Sequence, residues 1–329
     1  MEKSWVQING VRQGMFIRGH DGSDYCADKP VLLFVHGGPG MPEYFLDRTH
    51  PTGLERDFVV CWWEQRGAGI SFDRRMLRTS MTVDQLVDDT IAVAAHLSDR
   101  FGRDKVYLLA HSWGSFIGIQ AAARAPEAFH AYIGMGQVSH QQRAEVLAYD
   151  HELAEYRRRG DARMVKALEA APVTMDAPLP KAYMRIRDKA MHRIGIGTTR
   201  DMESVVTGVF FPVWRTPAYS PREILAIWRG KAWSRRILWD EFLATDLTRR
   251  VTELRVPLYV CQGAHDYTTN HGLARAYFDL LRAPVKGFYT FERSAHSPAF
   301  EEPQRFRRVL REDVLTGATG SADAERPGS

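Results

Sequence analysis

The sequence predicts an α/β fold, a mostly parallel sheet with helices on both faces, and three observations carry that prediction. Short apolar runs alternate with stretches of helical spacing. Each apolar run breaks into a loop rich in glycine, histidine or acidic residues. Between Val138 and Arg235 the alternation stops, leaving helical patterns and proline-rich turns without a convincing strand. The expected organisation is a core over 1–137 and 236–316, a helical cap inserted at 138–235, and a disordered tail over 317–329.

Trp5 to Ile17 alternates around Asn9-Gly10, a two-residue hairpin signal. Val31 to Val35 reads as a buried strand running into His36-Gly37-Gly38-Pro39-Gly40, whose backbone can approach a ligand closely. Phe58 to Trp63 is the next strand, ending in Glu64-Gln65-Arg66-Gly67-Ala68-Gly69. Thr82 to Phe101 has helical spacing through Val83, Leu86, Val87, Thr90, Ile91 and Ala94. Val106 to Ala110 is a buried strand, His111 to Gly114 a tight corner, and Ser115 to Pro126 a helix that the proline stops. Ala131 to Met135 is a further short strand. After the insertion, strand logic resumes at Val256 to Gly263, followed by a helix over Leu273 to Leu281 and a last strand over Val285 to Phe291. A helix from Pro303 to about Leu315 closes the domain.

A serine pinched between a strand end and a helix start is a nucleophile elbow, with Ala110 where a first glycine is usual. Such a corner holds the hydroxyl of Ser112 above the sheet and aims the first helical N–H groups, Trp113 among them, at charge developing beside it. Two more strand ends carry Asp266 and His296. The chain order nucleophile, acid, histidine is that of the α/β-hydrolase fold. A hydroxyl is a poor nucleophile near neutral pH unless a base removes its proton during attack. His296 is the candidate base and Asp266 the residue that fixes its tautomer.

HGGPG at 36–40, EQRGAGIS at 64–71, AHSWGS at 110–115, QGAHD at 262–266 and AHSP at 295–298 together resemble the proline iminopeptidase group of α/β-hydrolases. The resemblance covers Trp5 to Leu315 in layout and is thin in the insertion. It implies a serine hydrolase working through an acyl-enzyme on a small amide or ester, with release of an N-terminal residue from short peptides as the best-known variant. It implies an oxyanion hole from the backbone N–H of Trp113 and of Gly38, with Gly37 the close alternative. No cofactor and no metal is called for. A small-molecule esterase, lactonase or amidase on the same scaffold is the competing expectation. A non-catalytic ligand-binding protein is a third, and it predicts a degraded triad.

An aminopeptidase of this kind needs carboxylates to neutralise a substrate ammonium. Glu203, Glu223 and Glu64 are candidates, each also readable as an ordinary surface residue. Phe211 and Trp214, within Phe210 to Trp214, either line a pocket or pack the insertion onto the core. Segment 138–235 holds 17 Lys+Arg against 11 Asp+Glu, a net of +6 where the whole chain is +4. That is an odd cover for a cationic substrate.

Other readings are narrower. His265 and Asp266 lack further ligands at a metal-binding spacing. His36 is expected to brace its loop, and Arg66 to tie loops beneath the site. Cys26, Cys61 and Cys261 are too few for a disulfide framework, and buried reduced thiols in a cytoplasmic protein are expected. Met1 to Gly10 does not read as a signal peptide, and no apolar run reaches the roughly 18 residues of a membrane span. The pI near 8.9 comes with no nucleic-acid motif, so a small molecule or short peptide is the expected partner. An aspartate at 112 would have pointed to an epoxide hydrolase or dehalogenase instead.

Overall fold

A computed structural model of the chain describes residues 1–19 and 28–324. Cys26 lies outside the described residues. Eight strands form one sheet: β1 (Glu2–Ile8), β2 (Val11–Arg18), β3 (Val31–Val35), β4 (Val59–Glu64), β5 (Val106–His111), β6 (Phe129–Met135), β7 (Leu258–Gly263) and β8 (Lys286–Phe291). They lie in the order β1-β2-β4-β3-β5-β6-β7-β8. The β1–β2 hairpin pairs antiparallel and turns at Asn9 and Gly10, both with positive φ, as a tight two-residue turn requires. From β4 to β8 every pairing is parallel, so those strands end at one rim.

The apolar runs follow from burial on both faces. In β3, Leu33 and Val35 join one core while Leu32 and Phe34 join the other. Helix α1 (Val83–Phe101) covers the first face with Val83, Leu86, Val87, Val93, Ala94 and Leu97. Thr82 caps its start by accepting from the Gln85 N–H, and Gly102 ends it at φ 58°. Helix α2 (Trp113–Arg124) begins two residues earlier than the spacing predicted, because Ser112 alone makes the corner.

Between β6 and β7 come α3 (Gln141–Arg158), α4 (Ala162–Glu169), α5 (Lys181–Arg193) and α6 (Pro221–Ala244), with short helical pieces and, among the described residues, no strand beyond isolated bridges at His140, Asp246 and Glu253. Tyr149, Tyr156, Met164, Leu168, Tyr183 and Met191 give this segment an apolar cluster of its own. The expected boundary at 235 is corrected, since it falls inside α6. The Arg235-Arg236 doublet interrupts the apolar pattern, but only Arg236 is exposed to solvent, while Arg235 lines a cavity. Leu238 and Phe242 continue the buried side, with the Phe242 ring 5.1 Å from both Trp113 and Phe116.

Helices α7 (His271–Leu280) and α8 (Pro303–Val309) complete the core. The tail expected to be disordered is corrected in part. Ser321 donates through its amide and hydroxyl to Asp313, and the Asp323 N–H donates to the Phe288 carbonyl at 2.8 Å. This backbone contact covers the open edge of β8. Residues 325–329 lie outside the described residues. Among the described residues no helix is long and apolar enough to cross a membrane.

Candidate active site

Ser112 stands at the end of β5 with φ 56° and ψ −123°, a conformation a non-glycine residue holds only when its surroundings enforce it. Its amide donates to the Met135 carbonyl at 2.9 Å, and its carbonyl accepts from the Ser115 hydroxyl at 2.6 Å. Gly114 lets α2 start against β3, since a Cβ there would sit 2.0 Å from the Val35 carbonyl oxygen.

His296 reaches the same rim from the loop after β8. Its Nδ1 donates to Asp266 Oδ2 at 2.9 Å. Its Nε2 is buried without a hydrogen-bond partner, and His296 and Ser112 both line a cavity of about 190 Å³. Gly136, at φ 58°, is packed against this ring; a Cβ there would come within 2.8 Å of His296 Cε1.

Asp266 is buried and its oxygens are fully engaged. It accepts from the amides of Thr268 and Thr269 at 2.8 and 3.1 Å, from the Thr269 hydroxyl at 2.9 Å and from Gln262 Nε2 at 2.6 Å. Burial works against its charge, yet His296 and the Thr269 donors outweigh it and hold the carboxyl below the ordinary range. The two threonines follow the QGAHD motif, which carries no sign of them.

A second histidine pair supports this arrangement. His111 Nδ1 meets Glu43 Oε1 at 2.8 Å, and its Nε2 meets the His296 carbonyl oxygen at 2.9 Å. Both ring nitrogens face acceptors, a pattern that the imidazolium form satisfies. Burial opposes that charge, but the Glu43 carboxylate outweighs it and raises the pKa. Glu43 also accepts the Gly37 N–H at 3.0 Å, which leaves that amide engaged, whereas Gly38 lines the cavity. Trp113, first residue of α2, has no intrahelical acceptor for its N–H. Its indole donates to Gln65 Oε1 at 3.0 Å.

His36 accepts the Gln65 N–H at Nε2 and donates from Nδ1 to the Gly37 carbonyl at 2.7 Å. Burial lowers its pKa to about 4, so the ring is neutral. Arg66 pairs with Asp89 at 2.7 Å and reaches the Asn9 carbonyl, joining the first hairpin to α1. Glu301 accepts the amides of Ala295 and Ser297, on either side of His296, and the amide of Arg200 from the insertion. Burial raises its pKa to about 7 against the pull of those donors.

Helices α5 and α6 supply the opposite wall. Arg187, Asp188, Met191 and His192 come from α5; Lys231, Arg235 and Trp239 lie at four-residue spacing on α6. Arg187 is committed to Glu145, with Nε–Oε2 at 2.6 Å and a second contact at 2.7 Å.

None of the five substrate-binding candidates lines this cavity. Glu203 is exposed in a separate open groove with Arg159, Arg193 and Arg200. Phe211 and Trp214 are each 44% exposed and stand beside Phe210 on the outside of the insertion. Glu223 caps α6 through Ser220 and pairs with Lys3 at 2.7 Å. Glu64 is buried beneath the site, taking hydrogen bonds from the Tyr219 hydroxyl and the Ile70 amide, and burial raises its pKa to about 7. Sequence could not place the four that lie in the insertion, because a segment with no motif gives no register to the core.

Cys61 and Cys261 are buried, and burial pushes both thiols up. Among the described residues no three His, Cys, Asp or Glu side chains gather as a metal site.

Residues 30–185 match the family model of the alpha/beta hydrolase fold. The chain is 31% identical over 309 residues to the probable aminopeptidase YbaC of Bacillus subtilis, covering 93% of each. It is 26% identical over 300 residues to the proline iminopeptidase of Clostridioides difficile, covering 86% of this chain and 89% of that one. Among solved structures it is similar to the proline iminopeptidase-related protein TTHA1809 of Thermus thermophilus, with a TM-score of 0.62 at 22% identity over 95% of this chain and 97% of that one.

Proposed function

The chain belongs to the α/β-hydrolases and is a hydrolytic enzyme, and from that premise we propose that it is a serine hydrolase acting on a small amide or ester through a covalent acyl-enzyme. The observation that carries the reading is His296, which lines one cavity with Ser112 and has its Nδ1 tied to a carboxylate and its Nε2 left without a partner. His296 Nε2 takes the Ser112 proton as the oxygen attacks the acyl carbon. Asp266 keeps the proton on Nδ1 and stabilises the imidazolium that forms. The tetrahedral oxyanion is held by the amides of Trp113 and Gly38, each worth about 3–4 kcal/mol of barrier. Collapse breaks the bond to the leaving group, which takes the proton from His296. Water then repeats the sequence on the acyl-enzyme, with His296 again as base. The helices between β6 and β7 act as a cap that keeps the cavity small.

Release of an N-terminal residue is the form of this activity that the relatives' names suggest. The competing form, a small-molecule esterase, lactonase or amidase, is favoured by the cavity's cap wall, where Arg187, Lys231 and Arg235 outnumber Asp188. Fluorophosphonate labelling tests the class: wild type is expected to label and Ser112→Ala to lose both label and turnover. A labelled, active Ser112→Ala protein overturns the proposal. Turnover of proline p-nitroanilide against p-nitrophenyl acetate separates the two forms, and cleavage of the ester alone rejects the aminopeptidase.

A further inference from the structure

Resting on the serine-hydrolase reading, we propose that the substrate carries a carboxylate, held by Lys231 and Arg235 on the cap wall of the cavity. Both residues line the cavity with Ser112, one turn apart on one side of α6. Among the described residues neither makes a hydrogen bond or an ion pair. Each lies against an indole instead, Lys231 Nζ 5.8 Å from the Trp228 ring and Arg235 Cζ 4.6 Å from the Trp239 ring. Those contacts fix the side chains without using up their N–H donors.

The neighbouring charges do not neutralise them. Arg187 and Glu145 form a closed bidentate pair. Asp188 is then the one carboxylate left on this wall to face Lys231 and Arg235, and it is already touched by Arg187 at 3.3 Å. The wall therefore carries one positive charge in excess, three cations against Asp188 and Glu145. Burial, with Arg235 behind it, holds the Lys231 ammonium below its ordinary value against the attraction of Asp188. Two half-buried cations side by side are unfavourable until an anion joins them, and a monovalent carboxylate balances the excess. A carboxylate also explains why the cap of a small-substrate hydrolase carries a net charge of +6 over 138–235. Short peptides with a free C-terminus and half-esters of diacids both meet the requirement.

Two matched ester pairs test this on the full chain. Mono-p-nitrophenyl succinate against p-nitrophenyl butyrate places the carboxylate on the acyl side. The anion 4-acetoxybenzoate against phenyl acetate places it on the leaving group. The charged member of at least one pair is expected to have the higher kcat/KM, by about tenfold or more. Lys231→Met and Arg235→Met should each bring that ratio down about tenfold, Arg235→Lys should retain most of it, and the exposed neighbour variant Arg236→Met should leave it in place. Preference for the neutral member of both pairs overturns the proposal, as does a ratio unmoved in Lys231→Met and Arg235→Met. If neither pair is turned over, succinate is expected to slow fluorophosphonate labelling of wild type and not of Lys231→Met, and equal labelling overturns it. Failure of the serine-hydrolase reading looks different: wild type takes no label, or Ser112→Ala keeps its turnover, and this inference falls with it.

Discussion

At the scale of single residues, the site is a set of buried charges whose partners decide their state. Asp266 stays ionised because five donors surround it, whereas Glu64, equally buried, has a tyrosine hydroxyl and one amide. Burial holds the Glu64 pKa at about 7. An acid whose folded pKa stands above its unfolded one binds its proton more tightly when folded. Its contribution is complete below the ordinary value of 4.5 and is lost as pH rises through about 7. Glu64→Gln keeps a neutral group in place, so its stability relative to wild type should rise by about 3 kcal/mol between pH 4 and pH 8. Urea titrations at the two pH values measure this, and a pH-independent difference contradicts it. Ser112, Asp266 and His296 were legible because each sits at the end of an apolar run. Glu43 was not: it follows HGGPG in a loop with no period, and only the fold brings it to His111, 68 positions away.

At the scale of elements, the legible parts are those whose local chemistry and burial agree. The Asn9-Gly10 turn, the two-faced strand β3 and α1 formed where alternation, apolar content and helical spacing pointed. Helix α6 was misjudged at its end because its two sides serve different partners. One side faces the cavity with Lys231, Arg235 and Trp239, and another buries Leu238 and Phe242 on the core. The Phe242 ring closes a cluster with Trp113, Phe116 and Trp239 at 5.1 to 5.6 Å. Phe242→Ala should remove about 3–5 kcal/mol of stability, the range for an aromatic truncated in a core. Denaturant midpoints at constant slope test this, and a loss under 1 kcal/mol means the site is not packed as described.

At the scale of the molecule, four segments distant in sequence meet above one rim of the sheet: the loops after β3, β5, β7 and β8. Their strand ends were readable; the wall opposite them was not, since α5 and α6 carry no motif and their register follows only from packing. The exposed stretch at 174–178, between α4 and α5, is the natural place for a protease to cut. A nick there should change the ratio of kcat/KM between charged and neutral esters while the thermal transition of the core stays in place. Loss of that transition would mean cap and core do not fold as separable bodies.

The backbone around His296 is fastened from the cap side, its amide to the Gly197 carbonyl at 3.3 Å and Glu301 to the Arg200 amide at 2.6 Å. An engineer exchanging this lid for that of another hydrolase therefore inherits a hidden requirement. The turn at 195–200 must travel with the core, or the imidazole loses its mooring even though every residue of the triad is still in the chimaera.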